Sequence, residues 1–126
     1  MDSITQRIDI TVTPTYLEAQ SSPDTDHYVF AYTVNIVNRG EQAAQLLTRH
    51  WIITDSNGKT EEVRGTGVVG EFPYLKPGES YEYTSGTVIG TPLGSMRGSY
   101  QMCDDDGNTF DATIPVFTLS AGVVLH

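Results

Sequence analysis

The chain has 126 residues, enough for one domain whose folding removes roughly two thirds of the unfolded surface from water. Sixteen acidic against seven basic residues give a net charge of −9, a field that repels polyanions and excludes DNA or RNA as the natural partner. No run of eighteen apolar residues offers a membrane-spanning helix, and the one cysteine, Cys103, excludes an internal disulfide.

Period-two patterning dominates the chain and helical periodicity is almost absent. The first expected strand is Ile8–Thr13, with Ile8, Ile10 and Val12 on one face. Pro14 marks it as an edge strand or as its end, and Thr15–Glu18 can resume pairing. The turn-rich segment 20–26 leads into a strand over Tyr28–Asn38, with Phe30, Tyr32, Val34 and Ile36 on one face. Residues 38–41 turn the chain. The next strand is Ala44–Asp55, whose apolar residues fall on both faces, as in a strand covered on both sides. Trp51, Ile53 and Leu47 share one side by parity and are expected to point to the core.

Asn57-Gly58 is a strong hairpin signal, and Thr60–Arg64 returns antiparallel. After a glycine-rich stretch and the Lys76-Pro77-Gly78-Glu79 turn, Ser80–Ser85 alternates tyrosines as a strand with one aromatic face. Gly94–Cys103 and Thr109–Leu119 form the last pair, joined by Asp104-Asp105-Asp106-Gly107. The tail 120–126 is either loosely held or packed on an edge. Seven or eight strands and no helix beyond a turn or two predict an all-β chain. The expected fold is an immunoglobulin- or fibronectin type III-like antiparallel β-sandwich in a single domain over 1–126. A closed barrel is the alternative that strand count does not separate.

Gly65-Thr66-Gly67-Val68-Val69-Gly70 spells G-x-G-x-x-G. In a dinucleotide fold these glycines close a strand and open a helix. Pro73 and Pro77 follow too soon for that helix, so the motif is read as a loop between strands. Backbone amides at Gly65, Thr66, Gly67, Val68, Val69 and Gly70, with Arg64 beside them, could cradle a pyrophosphate or nucleotide. Glu61, Glu62 and Glu71 flank the loop and oppose an anion, and a structural loop needs glycine for the same backbone reasons.

The remaining constellations read as structure. The consecutive aspartates 104–106 lack the alternating carboxylates of a calcium loop and fit a hairpin tip. His27, His50 and His126 have no metal-ligand spacing, Cys103 has no C-x-x-C partner, and Glu61 and Glu62 point to opposite faces of a strand. No nucleophile elbow is present. The expectation is therefore a chain with no enzymatic activity, no resident metal and no cofactor. Seven tyrosines look like more than a core requires, and an aromatic interface and ordinary sheet packing account for them equally well. The N-terminal segment 1–7 lacks the basic start and apolar stretch of a secretory signal, which together with the single cysteine places the expected location in the cytoplasm.

From Glu18 onward the chain resembles the bacterial ApaG family. The resemblance rests on Leu17-Glu18-Ala19-Gln20-Ser21-Ser22-Pro23, Gln45-Leu46-Leu47-Thr48-Arg49-His50-Trp51, Val63 to Gly70, Thr91 to Gly98, and Ile114-Pro115-Val116-Phe117. It implies one fibronectin type III-like sandwich. The family's names come from genetic association with diadenosine tetraphosphate breakdown and with cobalt and magnesium tolerance. Related domains in eukaryotic F-box and polymerase-interacting proteins imply a protein-interaction module, and a pyrophosphate or nucleotide site at the glycine motif has been proposed within the family. The expectation is a binding module for a protein partner, with a homodimer through a strand edge as one form of it.

Overall fold

The computed structural model describes residues 7–122. In chain order the strands are β1 (Ile8–Tyr16), β2 (Tyr28–Asn38), β3 (Ala44–Asp55), β4 (Thr60–Thr66), β5 (Tyr74–Leu75), β6 (Ser80–Ile89), β7 (Leu93–Asp104) and β8 (Thr109–Ser120). Between β1 and β2 lie two single 3-10 turns, Glu18–Gln20 and Pro23–Thr25. Two antiparallel sheets form, one in the order β1-β2-β6 and the other β4-β3-β7-β8, with β5 also paired to β3. This is a sandwich and not a closed barrel. Along one long edge β1 packs against β8. Along the other, β6 and β4 are the outermost strands of their sheets and a recess opens between them.

The alternation of β2 is carried through its whole length, with Phe30, Tyr32, Val34, Ile36 and Asn38 buried on one face. Pro14 stays inside β1, opposite Tyr32, which a strand paired on one side only can tolerate. Asn38 closes its end of the core. Its side-chain amide donates to the carbonyls of Gln42 and Leu75 at 2.9 and 2.8 Å, and its oxygen accepts from the Gly40 amide at 2.8 Å. With one cysteine in the chain, no bridge can join the sheets, and aromatic packing does so instead. Trp51 of β3 meets Tyr32 of the opposite sheet edge-on at 5.2 Å between ring centres, and Tyr100 and Phe117 at 6.3 and 6.0 Å. Each such pair contributes about 0.5–1.5 kcal/mol beyond its buried area.

Four readings of the sequence need correction. Leu47 does not join Trp51 and Ile53 in the core; Leu46 does, fully buried, while Leu47 is only half-buried. The cause is a β-bulge, a register shift between Leu46 and Thr48 against β7, which reverses the side-chain parity below it. The glycine motif is not wholly a loop, because Arg64, Gly65 and Thr66 belong to β4. β6 continues past Ser85 to Ile89, and β5 is an additional strand. Finally, the tyrosines are not surplus. Tyr32, Tyr83 and Tyr100 are buried, and Tyr16, Tyr28 and Tyr81 pack against the core, which leaves only Tyr74 for an aromatic surface. The end of the tail, 123–126, and with it His126, lies outside the described residues.

Candidate functional site

β4 and β5 lie on the same side of β3 and both run antiparallel to it, so they are two parts of one edge strand. Between them the chain swings outward and returns. The neck is closed by two backbone hydrogen bonds, from the Gly67 amide to the Leu47 carbonyl at 2.9 Å and from the Leu46 amide to the Pro73 carbonyl at 2.9 Å. In a regular strand, neighbouring residues direct their backbone groups to opposite sides. Here Leu46 and Leu47 both face the same edge, which the bulge makes possible.

The excursion ends in a tight turn. Val68 and Glu71 exchange both backbone hydrogen bonds, at 2.9 and 2.8 Å. The central residues Val69 and Gly70 have φ of 43° and 82°, the signature of a type I′ turn. Val68 is buried in the core and anchors the excursion, whereas Val69 and Phe72 are 56% and 48% exposed. A β-branched residue with positive φ is strained. Gly67 also has positive φ, and a side chain there would meet the Glu71 carbonyl oxygen at 2.5 Å. The amides of Gly67, Val68 and Glu71 are thus already donated to backbone carbonyls. Arg64 projects from the outer face of β4, and its guanidinium lies 3.2 Å from Glu62, which also holds His50 at 2.8 Å. The Glu62 carboxyl is held below its usual range, first by the hydrogen bond with His50 and then by Arg64.

A second arginine, not singled out by sequence reasoning, is the one that supports the motif. Arg49 of β3 is the cross-strand partner of Gly65. Its guanidinium lies flat across the glycine, so that a β-carbon there would come within 2.6 Å of Arg49 Cζ. Arg49 Nη1 donates to the carbonyls of Thr66 and Gly67 at 2.9 and 2.8 Å. The signal available in the sequence was Gly65 itself, since glycine within a strand marks the close approach of another group.

Arg49 also lines the recess between β4 and β6, a space of about 160 Å³ shared with Tyr32, Trp51, Val63, Ser85 and Met96. Behind it, the buried hydroxyls of Tyr83 and Tyr100 bond to each other. Burial pushes the Tyr83 phenol up to about 12 and raises Tyr100 and Tyr32 as well, while the Arg49 charge opposes the rise in all three.

Elsewhere, Asp104 is buried and its Oδ1 accepts from the amides of Asp106 and Asn108 at 3.0 Å each, so the aspartate run is a hairpin tip. Asp105 accepts from the Tyr74 hydroxyl at 2.8 Å and Asp106 from Gln42 at 3.2 Å, tying this tip to β5 and to the 38–42 turn. Among the described residues, no three His, Cys, Asp or Glu side chains gather as metal ligands do. His27 is exposed, and the half-buried Cys103 thiol points to the Asp104 carbonyl at 3.4 Å.

Two stacked antiparallel sheets with an open edge place the chain in the class of all-β, fibronectin-like sandwiches. The family model for the ApaG domain matches residues 18–104. Protein ApaG of Pseudomonas paraeruginosa is 56% identical over 126 residues, covering all of both chains, and that of Thiobacillus denitrificans is 57% identical over 120 residues, covering 95% of this chain and 94% of its own. The chain belongs to the ApaG family. Among solved structures it is similar to an ApaA protein from Bordetella pertussis, with a TM-score of 0.90 and 47% identity over 94% of this chain and 96% of the other. A second X-ray structure, a structural genomics target, has a TM-score of 0.91 and 52% identity over 98% and 93%.

Proposed function

We propose that the chain is a non-enzymatic binding module that takes an extended segment of another protein along the free edge of β4. The observation that carries this reading is the exposure of that strand: Thr60 to Arg64 and Thr66 are all exposed, and only Gly65 is half-buried. β4 is paired on one side alone, with β3. The bonds that bracket the pairing, Asp55 amide to Lys59 carbonyl and Gly67 amide to Leu47 carbonyl, fix its alternation. Thr60, Glu62, Arg64 and Thr66 therefore direct their backbone groups outward, where a partner strand can accept them. Val63, Val69 and Phe72, exposed along the same edge and its excursion, supply apolar contact. Since six of the seven tyrosines pack in or against the core, the edge is better supported than an aromatic face. Any bearing on cation tolerance or dinucleotide polyphosphate levels is then indirect, through the partner.

The alternative, a pyrophosphate or nucleotide held by Arg64, Gly65, Thr66, Gly67, Val68, Val69 and Gly70, has less support, because the amides of Gly67 and Val68 are committed to backbone carbonyls and Arg64 is beside Glu62. Arg64→Pro removes one outward amide and leaves the ladder to β3 intact, so it is the informative bait. A protein retained from extract by the unchanged chain and lost with Arg64→Pro supports the proposal. Identical retention by both baits would sink it. Analytical ultracentrifugation of the two forms shows whether the partner is a second copy of this chain.

A further inference from the structure

We infer that the recess between β4 and β6 is a binding site for a small carboxylate with an apolar body, with Arg49 as its charge partner. The inference stands apart from the strand-edge reading, since it concerns the space between the sheets and not the outer rim of β4.

Its first support is the state of Arg49. Nη1 is fixed by the carbonyls of Thr66 and Gly67, which orients the guanidinium plane. The N–H groups on Nε and Nη2, the edge that matches a carboxylate in bidentate fashion, have no partner among the described residues. No carboxylate among the described residues lies within ion-pair distance of Arg49, whereas Arg7, Arg39 and Arg64 each face one; Arg97 has none either, but it is exposed to solvent while Arg49 is half-buried. In a chain of net charge −9, a half-buried arginine left without a counter-ion is a site prepared for one.

The second support is the wall around it. Tyr32 and Ser85 are cross-strand partners on β2 and β6, their side chains hydrogen-bond to each other, and both line the recess with Arg49. Trp51, Val63 and Met96 supply the apolar surface. Arg49 is the one charged residue of the lining, so a single negative charge is matched and a second is not. A polyanion such as pyrophosphate would keep uncompensated charge against aromatic walls. A volume of about 160 Å³ equals the share of about five waters, which suits a carboxylate on a ring or branched chain of six or seven carbons.

Trp51 is the only tryptophan and lines this recess, so its fluorescence reports the recess together with the core against which the ring packs, and the amide signals locate the change. Cyclohexanecarboxylate, acetate and inorganic phosphate serve as probes because none absorbs where tryptophan is excited. Cyclohexanecarboxylate is expected to change Trp51 emission to saturation and to shift the amide signals of Ser85, Gly86 and Val63, with acetate and phosphate weaker by at least about ten-fold. Arg49→Lys keeps the charge and removes the planar fork, and is expected to weaken binding by about ten-fold or more. Ser85→Glu places a carboxylate of the chain beside Arg49 and is expected to abolish binding while retaining the amide spectrum of a folded sandwich. No response by about 20 mM ligand, phosphate binding as tightly as the carboxylate, shifts confined to 67–71, or undiminished binding in folded Ser85→Glu would each overturn the inference.

Discussion

The guanidinium of Arg49 rests on the backbone of Gly65, the residue opposite it on β4, and from there reaches the carbonyls of the next two residues, Thr66 and Gly67. The glycine is needed for the room it leaves, and the arginine fastens the edge strand just before the chain departs into its excursion. Gly65→Ala therefore acts by displacing Arg49, and it should cost about as much as Arg49→Gln, on the order of 1–2 kcal/mol for charge-assisted bonds that remain partly open to solvent. Because both changes remove one interaction, the double variant should be little worse than either single one. Urea denaturation of the four proteins measures this coupling, and simple additivity would show that Gly65 has another role.

Val69 shows a different relation between fold and surface. It occupies the first central position of a type I′ turn at φ of 43°, where asparagine or glycine is the unstrained choice, and it is exposed. Folding gains nothing from the valine. Val69→Asn should therefore stabilise the chain by about 1 kcal/mol, because a β-branched side chain is strained in the left-handed region and asparagine tolerates it. A thermal melt should rise by about 3–5 °C for a domain of this size. If the excursion contributes to partner contact, the same substitution weakens capture while raising the melting temperature, a combination that loss of folding cannot produce.

What could be read from the residues follows from the range of the interactions concerned. The bounds of β2 and β3 are legible because alternation and turn chemistry are local. Leu47 is not, because a bulge adds one residue to a strand without any compositional mark and reverses the parity of everything beyond it. β5 is two residues long, below the length at which period two has meaning. The tyrosines were ambiguous for a similar reason: Tyr83 and Tyr100 meet only when two sheets are stacked. Arg49 carries no mark in the sequence because its significance lies in register with Gly65, sixteen residues away. Arg64 adjoins the motif in sequence, whereas the residue that organises it, Arg49, is on the neighbouring strand.

Asp104 is the aspartate on which the β7–β8 hairpin depends. It is buried, and one oxygen receives the amides of Asp106 and Asn108. Asp104→Ala leaves two amides without their acceptor and should destabilise by about 1–3 kcal/mol. Asp105→Ala, which releases only the exposed Tyr74 hydroxyl, should lie within about 0.5 kcal/mol of the parent. Magnesium or cobalt at millimolar concentration should leave the melting temperature of the parent unchanged, since the buried carboxylate already serves the turn. A rise in melting temperature that disappears in Asp104→Ala would establish a cation site at this tip.

Alkaline pH acts on the fold through the Tyr83–Tyr100 pair. Burial is the main reason that both phenols resist ionisation, and Tyr83 is raised to about 12. Tyr83 should ionise first, because its phenolate keeps the Tyr100 hydroxyl as a donor, whereas Tyr100 is raised further by Tyr83. In the unfolded chain both titrate at about 10. A folded value above the unfolded one means that the neutral form is the one the fold prefers. Its contribution is complete below pH of about 10 and is lost as pH rises through the folded value. Denaturant midpoints should therefore decline from pH of about 10 toward 12, and tyrosinate absorbance should gain a late step coincident with unfolding. Tyr83→Phe together with Tyr100→Phe removes both hydroxyls and should reduce this alkaline decline, leaving the part that belongs to buried Tyr32. Either single replacement leaves a buried hydroxyl without its partner and should cost about 1–3 kcal/mol at neutral pH. A decline that persists unchanged in the double variant would assign the alkaline sensitivity to other groups.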